Sequence, residues 1–172
     1  MDPLVPLLRA LNERHVRYVV IGVSGANLWA HLGGVVFKTD HRDLFLPVDA
    51  HNLAEAWAAC DDAGFALWLT DEPLDRPRDQ WLADRIVNRR ALTRATGPNE
   101  LQVDLTLVMK GFEFEPVWAE RRVFAIEGVE IPVARLLHIV SSKQAAGRDK
   151  DRLFLATHRD ALAELLKRQD TD

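Results

Sequence analysis

The stretch RYVVIGVSGANLWAHLGGVVFKTDHRDLFLP, residues 17–47, decides how this chain is read. Tyr18, Val19, Val20 and Ile21 make a short unbroken run of β-branched and aromatic residues, the pattern of a strand buried on both faces, and Gly22 ends it. VSG then turns the chain into a helix-like segment. A turn between a strand and a helix aims free backbone N–H groups at whatever lies above it, and the helix dipole adds positive charge there. Gly22 and Gly25 allow close approach to an anion, and Ser24 is placed either to cap the helix or to bond a phosphate oxygen. Strand-to-helix turns in general also favour Gly and Ser, so the turn alone leaves both readings open.

The second half of the stretch is sharper. DLFLP from Asp43 reads as a second short strand stopped by Pro47, with a helix starting at Asp49 to Asn52. Side chains alternate on a strand, so His41, Asp43 and Phe45 share one face, and Asp40, Arg42 and Leu44 the other. Further along, Asp104 sits inside LQVDLTLV, an otherwise apolar strand pattern. A carboxylate in the middle of a buried strand needs a metal, a charged partner or solvent. The alternative is a strand-end acid reaching water or an arginine. The loop ATGPNE before this strand is short, which predicts that Asp104 lies beside the earlier strands and near Asp43.

Taken in order, IGVSG at 21–25, TDHRDLFL at 39–46 and VDLTL at 103–107 resemble the nucleotidyltransferase superfamily. That superfamily includes small stand-alone transferases, tRNA CCA-adding enzymes and the toxins of bacterial toxin–antitoxin pairs. Its usual pattern is a hydrophobic strand, a Gly-Gly or Gly-Ser turn, a helix, Asp-x-Asp on the next strand and a third Asp on a later one. VEIPVARLLHIVSSKQAAGRDKDRLFL, residues 129–155, resembles the tail helices of such proteins, so the likeness spans most of the chain. It implies a mixed α/β fold, an NTP substrate, and Mg²⁺ or Mn²⁺ held by Asp43 and Asp104. It also implies phosphate contacts from Gly22 and Ser24. Lys143 and Arg148 are carried over as nucleotide-facing residues, a point charge and a planar fork on triphosphate oxygens; C-terminal charge complementing a helix dipole is the other reading of these two. The chain departs from the pattern at Val23, where a second Gly or Ser is usual, and at His41, which takes the place of the first acid. His41 suits Mn²⁺ or Zn²⁺ better than Mg²⁺, and a local bulge would swing Asp40 into its place.

Composition bounds the rest. The chain has 172 residues, 48% hydrophobic, enough for one core, so a single domain over 1–172 is expected, with a sheet-containing part at 1–133 and helices at 134–172. A net charge of −4 argues against broad nucleic-acid binding while leaving room for a local basic site. One cysteine, Cys60, excludes an internal disulfide and fits a reducing cytosol. No apolar run reaches membrane-spanning length and no leader pattern opens the chain, so a cytoplasmic protein without a membrane partner is expected.

The remaining elements follow from period and punctuation. Leu4, Leu7, Leu8 and Leu11 mark an opening helix, and Leu53, Ala56, Trp57 and Cys60 mark another that stops at Gly64. Ala66 to Leu69 is strand-like, and Pro73 and Pro77 argue against regular structure up to about Arg78. WLADRIVNRRALTRA then has helical spacing and carries Arg85, Arg89, Arg90 and Arg94, either a phosphate-facing surface or a solvated face. Phe112, Phe114 and Trp118 read as core. RVFAIEGVEIPVA reads as a hairpin about Glu127 and Gly128. A helix with Leu136, Leu137, Val140 and Ala145 inward ends at Gly147, and a helix pair with Leu153, Phe154, Leu162, Leu165 and Leu166 inward closes the chain. His138 reads as structural.

Two functions follow as expectations. The first is metal-dependent transfer of a nucleotidyl group from an NTP to a hydroxyl of an RNA, such as tRNA, or of a protein. The second, prompted by His41 and Val23, is a related domain without catalysis that serves as a nucleotide-binding or protein-binding regulatory module toward a partner protein.

Overall fold

The computed structural model describes residues 2–31 and 41–171. The expectation about Asp40 therefore lies outside the described residues. Within them the chain is a mixed α/β structure built on an eight-stranded sheet of order β4-β3-β5-β6-β2-β1-β8-β7. The strands are β1 (Val19–Ile21), β2 (His41–Phe45), β3 (Ala66–Leu69), β4 (Glu72–Pro73), β5 (Thr93–Thr96), β6 (Gln102–Thr106), β7 (Arg122–Ile126) and β8 (Val129–Val133). The helices are α1 (Leu4–Glu13), α2 (Gly22–His31), α3 (Ala50–Asp62), α4 (Gln80–Arg89), α5 (Phe114–Ala119), α6 (Leu136–Ala146), α7 (Asp149–Thr157) and α8 (Arg159–Thr171).

Burial explains the order. All three residues of β1 are buried, as its unbroken apolar run predicts for a strand with neighbours on both sides. It pairs antiparallel with β2 and parallel with β8. Strand β2 then pairs parallel with β6, which places residue 43 opposite residue 104. Helix α3 begins where the Asp49 side chain accepts the Asn52 backbone N–H at 2.9 Å, a standard N-terminal cap. Its buried Trp57 donates Nε1–H to Thr93 Oγ1 at 3.3 Å, so α3 lies on the Thr93 face of the sheet. Helix α4 is capped in the same way by Asp79, which accepts the Leu82 N–H at 3.0 Å.

On the other face α2 and α6 meet over β1. The ring N–H of Trp29 reaches the Ala134 carbonyl at 2.9 Å. A Cβ on Gly25 would lie 2.8 Å from Ile139 Cδ1 and 2.9 Å from the Val20 carbonyl oxygen, so glycine is what lets α2 sit this close to strand and helix. The hairpin β7–β8 closes one edge of the sheet, with Glu127 and Gly128 both at positive φ, the backbone of a tight two-residue turn.

Three expectations are corrected. The helix through residues 81–95 stops at Arg89, because Arg90 takes the left-handed conformation (φ 49°), and Thr93 to Thr96 form β5 instead. Arg94 is thus a strand residue in the middle of the sheet. The 70–78 stretch is not wholly irregular: Glu72 and Pro73 add a two-residue edge strand, where a proline lacking its N–H is tolerated. In the tail helices the inward face is rotated from the expected one. Leu136, Ile139 and Val140 are buried, while Leu137 is 46% and Leu153 68% exposed.

Candidate functional site

Strand β6 alternates along its length: Val103 and Leu105 are buried, whereas Gln102, Asp104 and Thr106 are half-buried. One face of the strand is packed and the other is open, which is how an acid is tolerated at its centre. Register then builds a row across three neighbouring strands. Asp104 is paired with Asp43 on β2 and with Arg94 on β5, so all three side chains leave the sheet on the same side.

This side opens into a cleft of about 1050 Å³, lined by Gly22 and Val23 from the start of α2, by His41, Asp43, Arg94 and Asp104 from the sheet, and by Lys143, Arg148, Lys150 and Asp151 from the tail helices. The cleft brings together Gly22, His41, Asp43, Asp104, Lys143 and Arg148 of the expected site residues. Ser24 does not line it. Its hydroxyl donates to the Ile21 carbonyl at 2.9 Å and accepts the Asp43 backbone N–H at 3.4 Å, so it ties the end of β1 to β2 beside the acid. Among the described residues the lining carries five Lys or Arg side chains against three Asp. A chain of net charge −4 therefore has a locally cationic cleft, the balance that suits a polyphosphate.

Gly22 sits at φ +66° as the chain leaves β1, and a Cβ there would lie 2.6 Å from Asp43 Oδ2. The carboxylate is seated against bare backbone. Among the described residues Asp43 makes no ion pair, and burial, then the neighbouring Asp104 charge, raise its pKa against the opposing pull of Lys143, His41 and Lys150. A group that resists ionisation this way gains most from an added cation. Asp104, by contrast, is held by Arg94, whose Nε lies 2.7 Å from Oδ1 and whose second nitrogen lies 3.4 Å from Oδ2. Arg42 points to the opposite face and pairs with Asp2 at 3.2 Å.

On the facing wall Asp151, only 1% exposed, gathers the two expected cations. Its carboxylate takes Arg148 Nε at 2.7 Å and stands 3.6 Å from Lys143 Nζ. Burial pushes Asp151 up, but the Arg148 fork and the Lys143 charge more than offset that and hold it below the usual carboxylate range. Burial lowers Lys143, whose ammonium also lies 4.8 Å from the centre of the Phe154 ring. His138 is turned away from this chemistry and reaches Glu120 at 3.2 Å.

The donor set fits a hard divalent ion. Mg²⁺ is usually held by one or two carboxylates, the remaining positions going to water and substrate phosphates. Asp43 and Asp104 are such a pair, in register and on the open side of the sheet. Among the described residues no group of three or more His, Cys, Asp or Glu side chains is gathered to hold a metal. Sequence reasoning missed Asp151, and it named Arg94 only as a helix residue, not as the partner of Asp104. The signals were the alternation of Thr93-Arg94-Ala95-Thr96 and an acid three residues after Arg148, in the first turn that follows the Gly147 stop.

No protein-family model and no curated protein matches the chain. Among solved structures it is similar to the solution structure of the antibiotic-resistance factor ANT(2'')-Ia, with 17% identity over 99% of this chain and 96% of that one and a TM-score of 0.49. At that distance neither substrate nor catalytic residues carry over. No helix among the described residues is long and apolar enough to cross a membrane.

Proposed function

We propose that this chain is a metal-dependent nucleotidyltransferase that moves a nucleotidyl group from an NTP to a hydroxyl of an RNA or protein acceptor. One observation carries the reading: two carboxylates in strand register, Asp43 and Asp104, stand in the same cleft as the Lys143–Asp151–Arg148 cluster. In such a transfer the acceptor hydroxyl releases its proton to solvent and its oxygen bonds the α-phosphorus as the bond to pyrophosphate breaks, and negative charge moves onto the leaving group. In this reading Lys143 and Arg148 draw off that charge, and their contacts to Asp151 hold both beforehand so that little reorganisation is needed. Gly22 brings bare backbone at the start of α2 to the cleft, where N–H groups and the helix dipole favour phosphate. Ser24 holds Asp43 in place through its backbone N–H. Bound Mg²⁺ or Mn²⁺ would neutralise the triphosphate and lower the pKa of the attacking hydroxyl. Asp43, Asp104 and, for Mn²⁺, the ring of His41 are the groups that would hold it.

A second reading is favoured by the Arg94–Asp104 pair, which already satisfies one of the two acids. In it the cleft binds nucleotide without turnover, as a regulatory module toward a partner protein. Incubation of the protein with each α-labelled NTP and Mg²⁺ or Mn²⁺, with RNA and protein acceptor pools, separates the two. Label transferred with pyrophosphate release by the parent but not by Asp43→Asn supports the transferase. Nucleotide bound without release supports the module, and no binding of any NTP removes both.

A further inference from the structure

Among the described residues each acid of this cleft has a charged partner except Asp43, and the partner of Asp104 comes from the next strand of the same sheet. Arg94 stands directly opposite Asp104 in the antiparallel pairing of β5 with β6, and Asp43 stands directly opposite on the other side, in the parallel pairing with β2. The guanidinium engages both oxygens of Asp104, at 2.7 and 3.4 Å. A planar fork on a carboxylate occupies the positions a cation would take. Its own side chain is 39% exposed and lines the cleft, so it has somewhere to go.

We propose that Arg94 is a resident counter-cation of Asp104, displaced when a divalent metal ion enters the cleft together with a polyphosphate. This rests on the metal-and-nucleotide reading given above. An ion shared by Asp43 and Asp104 has to take Asp104 from Arg94, and a divalent ion and a guanidinium on one carboxylate repel each other. Metal alone leaves the displaced guanidinium without an anion. Metal arriving with a nucleotide does not, because phosphate oxygens match the same fork. The two ligands therefore bind cooperatively, and the resting cleft discriminates against free divalent cations. The coupling is reciprocal, so the metal tightens nucleotide binding by the same factor.

The probe is Mn²⁺, titrated by electron paramagnetic resonance and calorimetry into the full chain, alone and with a non-hydrolysable NTP analogue. The proteins compared are the parent, Arg94→Gln, Arg94→Lys and Asp43→Asn, each checked for its native circular dichroism. The expected result is that Arg94→Gln binds free Mn²⁺ at least tenfold more tightly than the parent, about 1.4 kcal/mol. Arg94→Lys, which keeps a charge but loses the fork, should fall between them. Adding the analogue should tighten Mn²⁺ in the parent by a larger factor than in Arg94→Gln. A merely structural Arg94 would not raise metal affinity when removed. Equal Mn²⁺ affinity in the parent and both Arg94 variants, with binding lost in Asp43→Asn, overturns the role of Arg94 and leaves the metal site standing. Absence of Mn²⁺ binding to every protein, with or without the analogue, overturns the metal reading and this inference together.

Discussion

A Cβ on Gly22 would stand 2.6 Å from Asp43 Oδ2, so the first residue of α2 and the central acid of β2 are fitted to each other. Gly22→Ala has two separate costs. The left-handed backbone at φ +66° disfavours alanine by about 1–2 kcal/mol, and the methyl group has to push the carboxylate out of its seat. Denaturant melts should show a loss of at least about 1 kcal/mol, and Mn²⁺-dependent nucleotide stabilisation should be lost with it. Gly25→Ala is the control. It disturbs the contact with Ile139 and the Val20 carbonyl but leaves Asp43 seated, so it should lower stability while preserving the ligand response.

Asp43 has a raised pKa in the folded protein, chiefly from burial and then from Asp104. The folded state thus holds this proton more tightly than the unfolded chain does. The stabilising contribution is complete below the unfolded value near 3.9 and is lost as pH rises through the folded value. Asn at this position does not titrate. Asp43→Asn should therefore be more stable than the parent at pH 7 in metal-free buffer, and the gain should shrink toward zero by about pH 3.5. Urea midpoints at the two pH values give the comparison; an equal or negative difference at pH 7 would count against an uncompensated acid.

Asp151 is fully enclosed and holds Arg148 and Lys143. Asp151→Asn keeps the shape but removes the charge, which leaves Lys143 largely buried without its counter-ion. The expected loss is about 1–3 kcal/mol, moderated because Arg148 reaches solvent. Nucleotide affinity should weaken as well, because the two cations lose their fixed positions. A variant with parental nucleotide affinity would separate this cluster from the cleft's function.

Burial pushes the Cys60 thiol up to about 12. The thiolate is the reactive form, so at pH 8 the folded protein should be inert to a disulfide reagent, and labelling should follow the denaturant unfolding curve. Fast labelling of the native protein would show that α3 is not packed as described.

Much of this was legible in the chain because periodicity and punctuation agreed. Tyr18 to Ile21 stand in an unbroken apolar run and are all buried, and Asp104 lies on the strand that follows β5 after a short connection, where parallel pairing with β2 sets it opposite Asp43. Arg94 was hidden because NRRALTRA keeps helical spacing across a break that no Gly or Pro marks: Arg90 alone turns left-handed. The open face of β6 was hidden for a related reason. Val103 and Leu105 make the strand look buried throughout, and only the sheet shows that Gln102, Asp104 and Thr106 are half-buried on its other face, with Asp104 and Thr106 lining the cleft. The role of Asp151 depends on two helices meeting across the Gly147 stop, a tertiary fact that no local pattern contains.

The most direct measurement is thermal unfolding with each NTP, alone and with Mg²⁺ or Mn²⁺, on the parent, Asp43→Asn and Asp104→Asn. A ligand at a hundred times its dissociation constant adds about 2.7 kcal/mol, a shift of several degrees for a chain of this size. The expected result is a shift that needs metal and nucleotide together and disappears in both variants. A parent transition that no combination of nucleotide and metal moves, or a shift that survives in both variants, would contradict a metal–nucleotide site at Asp43 and Asp104.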